Sequence, residues 1–92
     1  MLNYSVNENL ILLEERRGEE DYEFLISTVD EKAHNTLMEL RSFFEGDDVF
    51  SDVLFYSLKN KKIQVIVRRD LYVSFILGLF KWKLLKRVNW SL

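Results

Sequence analysis

The chain has 92 residues, of which 48% are apolar and 30% charged, with no cysteine and no proline. That length makes one domain, residues 1–92, around a single core; the composition excludes a disordered chain, and the lack of cysteine excludes a disulfide framework and thiolate chemistry. The net charge of −2 conceals a division, because Met1–Asp52 holds 14 of the 15 acids but only 4 of the 13 bases, an asymmetry that bears on partners.

The opening MLNYSVNENLILLEERR has no basic segment before its apolar run and no small-residue cleavage pattern after it. No secretory signal is expected, and the cytoplasm is the default location. Tyr4–Arg17 reads as one extended segment. Its apolar run Leu10–Leu13 fits a strand covered on both faces. Arg16-Arg17-Gly18-Glu19 reads as a turn, with Gly18 free to take a positive φ. Tyr22, Phe24, Ile26 and Thr28 then alternate with Glu23, Leu25 and Ser27, the period of a strand with one buried face. The two segments are expected to form an antiparallel hairpin.

Thr28-Val29-Asp30-Glu31 has the spacing of a capping box, with Thr28 at the N-cap. Ala33, Leu37, Leu40 and Phe44 follow at helical spacing, and Gly46 is a natural stop. The spacing predicts a helix over Val29–Glu45. Val49–Leu58 is rich in β-branched and aromatic residues, Lys59–Lys62 is a turn, and Ile63, Val65 and Val67 alternate with Gln64, Ile66 and Arg68. This is a second hairpin.

Asp70–Leu85 is the most apolar stretch. Asp70 is placed to cap a helix, on which Leu71, Phe75, Leu79 and Trp82 form one stripe and apolar residues cover much of the remainder. Such a helix is buried on more than one side or meets another surface. The run Leu71–Phe80 spans 10 positions, short of the roughly 20 that crossing a bilayer needs. A core helix is the preferred reading. An interfacial membrane helix is the alternative, because Trp82 stands among Lys81, Lys83, Lys86 and Arg87. Lys86–Trp90 reads as a last short strand or a tail.

The order hairpin, helix, hairpin, helix is that of an α+β fold. It predicts an antiparallel sheet of four strands, with room for a fifth, and two helices packed on one face. Leu25, Leu54, Tyr56, Leu58 and Ile66 then share the other face, and an apolar second face implies a dimer or a partner.

Chemistry-bearing residues are sparse. His34, the single histidine, stands one helical turn after Asp30, but two ligands without a third make no metal site, and a surface histidine is expected. Glu14, Glu15, Glu19, Glu20, Asp21 and Glu23 surround the first hairpin turn. Carboxylate catalysis needs one acid in apolar surroundings, which a solvated hairpin tip does not supply. Lys59, Lys61, Lys62, Arg68, Arg69, Lys81, Lys83, Lys86 and Arg87 are interleaved with aromatic residues, among them Trp82 and Trp90. Cations for phosphate and rings for bases make these candidates for a partner or nucleic-acid surface, although the pI near 5.4 is far from that of a dedicated nucleic-acid domain. Phosphate loops, nucleophile elbows and dinucleotide fingerprints are absent. The expectation is a non-enzymatic interaction module, without cofactor, metal or small-molecule substrate. It would bind itself as a homodimer or a protein partner, with nucleic acid second and a membrane surface third.

Overall fold

The computed structural model describes residues 1–92. In chain order the elements are β1 (Leu2–Val6), β2 (Ile11–Arg17), β3 (Asp21–Thr28), α1 (Glu31–Glu45), β4 (Val53–Ser57), β5 (Ile63–Arg68), α2 (Tyr72–Lys81) and β6 (Leu85–Trp90). Four strands form one antiparallel sheet in the order β2-β3-β5-β4, and β1 pairs with β6 in a separate two-stranded sheet. The class is α+β, as the alternation of periods predicts.

Both hairpins form, β2 with β3 and β4 with β5. They join through β3–β5, where Phe24 lies opposite Val65 and Ile26 opposite Ile63. The connection from β3 through α1 to β4 therefore spans β5 and lays the helix across the sheet. Phe24, Ile26, Val65 and Val67 from the sheet meet Leu37, Leu40 and Phe44 of α1 and Phe75, Ile76 and Leu79 of α2 in one buried cluster. Period-2 alternation in the strands and 3–4 spacing in the helices put these side chains on facing surfaces.

Several expectations about boundaries need correction. Tyr4–Arg17 is not one strand. Asn7 interrupts it: its carbonyl accepts from the N–H groups of Leu10 and Ile11, and its side-chain oxygen accepts from the Asn9 N–H at 3.3 Å. The polar run Asn7-Glu8-Asn9 is the turn signal. Beyond it β1 leaves the first hairpin and pairs with β6, Tyr4 opposite Val88. Leu12 is exposed rather than covered, since alternation along β2 points it away from the helices.

Helix α1 starts at Glu31, and its N-cap is Asp30, not Thr28; the Asp30 carboxylate accepts from the Ala33 N–H at 2.8 Å. Asp70 does not cap α2. A short 3-10 turn, Arg69–Leu71, leads into that helix, and no side chain caps it. The stretch from Val49 is strand only from Val53, because Asp48–Phe50 form a 3-10 turn capped by the Asp47 carboxylate. No glycine has a positive φ; Asn60, Lys61 and Lys83 do. Gly18 is needed for closeness instead, since a Cβ there would stand 3.0 Å from the Asp21 carbonyl oxygen.

Candidate functional site

The open face of the main sheet is set by strand register. Two cross-strand rows lie on it, Glu14-Leu25-Gln64-Tyr56 and Arg16-Glu23-Ile66-Leu54. Charge gathers on the β2 side and apolar surface on the β4 side. Leu54, Tyr56 and Leu58 are 45%, 48% and 42% exposed, with Leu25 and Ile66 half-buried beside them. No helix covers this surface, since both helices pack on the opposite face.

A second feature lies where β1 crosses the edge of β2. A cleft of about 560 Å³ is lined by Tyr4, Glu15, Arg17, Tyr22, Tyr72 and Trp90, among others. The Glu15 carboxylate accepts from the Tyr4 hydroxyl at 2.6 Å and from the Tyr72 hydroxyl at 3.0 and 3.1 Å. The Tyr22 and Tyr72 rings meet at 4.2 Å, and the Arg17 guanidinium lies 5.9 Å from the Tyr22 centroid. Burial pushes both the Tyr4 and the Tyr72 hydroxyl above their ordinary titration range, and the bond to Glu15 adds to the shift.

Glu15 is thus not part of a solvated acidic tip, as the run of acids suggests. It is half-buried and bonded to β1 and α2. Two neutral hydroxyls donate to one carboxylate, and the group acts as a polar tie between β1, β2 and α2. Neither tyrosine follows a motif. The nearest signal in the sequence is alternation, which puts Glu15 on the same face of β2 as Ile11 and Leu13.

The basic candidates divide among separate places. Lys59, Lys61 and Lys62 occupy the β4–β5 turn, where Lys61 pairs with Glu31 of α1. Arg68 and Arg69 stand at the other end of β5. There Arg68 pairs with Asp52 at 3.4 Å and Asp70 at 3.8 Å, and Arg69 donates to the Gly18 carbonyl at 3.3 Å. Lys62 immediately precedes the six-residue strand β5 and Arg68 ends it, a separation of roughly 20 Å, so Lys61-Lys62 and Arg68-Arg69 do not make one patch. Glu19, Glu20 and Asp21 share a shallow cleft with Arg68, Arg69 and Asp70.

At the end of α2, the Lys81 ammonium lies 5.0 Å from the Phe43 centroid and 5.2 Å from that of Trp82. Lys83 sits in the turn after the helix, and Lys86 and Arg87 are exposed on β6 with Trp90. Val73, Leu77 and Phe80 form an exposed stripe along α2.

His34 is half-buried rather than on the surface, and its Nδ1 is enclosed without a hydrogen-bond partner. Asp30, its neighbour one turn back, is committed to the cap. No group of three His, Cys, Asp or Glu side chains is placed to hold a metal ion. No helix is long and apolar enough to cross a membrane. No protein-family model, curated protein or solved structure matches the chain.

Proposed function

We propose that this chain is a cytoplasmic, non-enzymatic interaction module whose first partner is a second copy of itself. The observation that carries the reading is the apolar half of the open sheet face: Leu54 and Tyr56 of β4 and Leu58 just after it, with Ile66 of β5 beside Leu54 and Leu25 of β3 beyond Gln64. An exposed, mainly apolar surface with a charged rim is the composition of an association site. The rim carries both signs, Arg16 beside Glu23 and Glu14, so it sets no single-sign barrier to a second copy, and a two-fold pairing would be isologous. Light scattering over a wide concentration range tests this. A dimer in the wild type and a monomer in the Leu54→Lys/Tyr56→Lys double variant support it; a wild type that stays monomeric at every concentration rejects it.

A second reading rests on the exposed stripe Val73, Leu77 and Phe80 of α2. With Lys81 and Lys83 at its end, this stripe has the make-up of a helix that rests on an anionic membrane. Binding to vesicles of anionic lipid that is lost in Leu77→Glu supports that reading, and absence of binding removes it.

A further inference from the structure

The two edges of the main sheet are not equivalent. At one edge, β2 carries Glu14, Glu15, Arg16 and Arg17, and β1 lies across it, tied through Tyr4 to Glu15. At the other, β4 (VLFYS) has no charge, no proline and no bulge. Natural sheets protect free edges with such devices, and β4 has none.

Which backbone groups of β4 are free follows from its bonds to β5. The Arg68 N–H donates to the Asp52 carbonyl and the Leu58 N–H to the Lys62 carbonyl, so the even-numbered residues of this stretch turn their polar groups inward. In an antiparallel ladder, alternate residues point opposite ways. Val53, Phe55 and Ser57 therefore direct N–H and C=O outward. A groove of about 330 Å³ runs along this edge. Four consecutive β4 residues, Val53–Tyr56, form one wall, and Glu45, Asp47 and Asp48 contribute to the other.

Charge selects the occupant. The segment before β4 carries Asp47 and Asp48, neither in an ion pair. The turn after it carries Lys59 and Lys62, also unpaired. A second β4 laid antiparallel sets the acidic approach of each copy beside the basic exit of the other, twice. A parallel arrangement sets like charge against like.

Resting on the self-association reading, we infer that two chains join edge to edge through β4, antiparallel, about a two-fold axis at Phe55. This register pairs Val53 with Ser57 of the second copy and Phe55 with itself, so every outward N–H and C=O of β4 is bonded. Sliding by two residues leaves an end residue without its partner. Sliding by one sets buried side chains opposite exposed ones. On the open face the axis brings Leu54 against Tyr56 of the second copy on both sides, and the apolar zone becomes continuous across an enlarged sheet. The contact is strand addition with the chain itself as donor.

The chain has no cysteine, so engineered thiols report the register directly. In the inferred pairing, Leu54 and Tyr56 of opposite copies form a non-hydrogen-bonded pair with Cα atoms about 4.5 Å apart, within disulfide reach. The Leu54→Cys/Tyr56→Cys variant is expected to give a covalent dimer on mild oxidation. Either single variant is expected not to, because like positions lie diagonally apart. Ser57→Pro removes an outward N–H without touching a bond to β5, but it also removes the hydroxyl that accepts from Arg41 of α1 at 3.0 Å, so Ser57→Ala is the control. A folded monomer for Ser57→Pro and a dimer for Ser57→Ala, by circular dichroism and light scattering, are the expected results. Linkage by Tyr56→Cys alone overturns the register. A dimer by light scattering that no β4 cysteine captures, and that Leu25→Lys rather than Ser57→Pro dissolves, overturns the edge and keeps self-association through the face. A monomer at all concentrations overturns both.

Discussion

Phe44 packs on Gly78. A Cβ at Gly78 would stand 2.8 Å from both Cε2 and Cζ of the Phe44 ring, so the crossing of α1 and α2 is set by the absence of a side chain there. The ring cannot swing aside easily, because Phe50, Phe55 and Phe75 surround it at centroid distances of 4.9, 6.2 and 5.6 Å. In an open helix, Gly to Ala is worth about 1 kcal/mol in favour of Ala. Here overpacking outweighs that gain, and Gly78→Ala is expected to destabilise by about 1–2 kcal/mol net. Adding Phe44→Leu should recover part of the loss, which denaturant melts of a double-mutant cycle would read as coupling between the two sites.

The two aspartates ahead of the helices should behave differently. Asp30→Ala removes the acceptor for the Ala33 N–H and is expected to cost about 1 kcal/mol. Asp70→Ala removes no cap, only an exposed contact with Arg68, and is expected to stay within about 0.5 kcal/mol of wild type. Equal losses in chemical denaturation would contradict this.

Helix α2 ends in a Schellman motif in which Lys83 takes the position glycine usually holds. The Leu84 N–H donates to the Leu79 carbonyl and the Lys83 N–H to that of Phe80, Leu79 and Leu84 are both buried, and Lys83 has φ 64°. A side chain in that conformation costs about 1 kcal/mol. Lys83→Gly is therefore expected to raise stability by about 0.5–1 kcal/mol, seen as a higher Tm.

The Glu15 tie predicts alkaline sensitivity. Tyr4 and Tyr72 titrate higher in the folded chain than in the unfolded one, near 10, because burial and the bond to Glu15 favour the neutral hydroxyl. Above pH 10 the unfolded chain releases protons that the folded chain keeps, so stability is complete below pH 10 and falls as pH rises past it. Tm measured from pH 8 to beyond 10 should decline more steeply in wild type than in Tyr4→Phe/Tyr72→Phe. The single variants should be non-additive because both hydroxyls share one carboxylate.

Lys61 holds the Glu31 carboxyl below its ordinary range of about 4.5, by hydrogen bond first and charge second. The stabilisation attached to that shift is present above pH 4.5 and lost as pH falls through the lower, folded value. Lys61→Ala is expected to return the Glu31 titration to the ordinary range in NMR. Melts at neutral pH and moderate salt should not change measurably, since the pair is fully exposed.

What was legible in the sequence followed from periodicity. Alternation in Tyr22–Thr28 and Ile63–Arg68, and helical spacing in Ala33–Phe44, determined the α+β class, both hairpins and which face of each element is buried. The apolar residues of the open face were legible for the same reason, since the side opposite a buried set is fixed once register is fixed. Local chemistry that departs from the preferred residue was not legible. Lys83 stands where glycine signals a stop, Asp30 caps where Thr28 has the better-known spacing, and Asn7 turns a segment whose flanks both read as extended.

Only the tertiary structure decided the long-range meetings. The pairing of Leu2–Val6 with Leu85–Trp90 and the convergence of Tyr4 and Tyr72 on Glu15 join parts of the chain far apart in sequence, and no short-range pattern encodes which distant partner a strand or hydroxyl will find. The same holds for the free edge of β4, which exists because β5 sits between β3 and β4, an ordering fixed by how α1 crosses the sheet rather than by any residue within β4 itself.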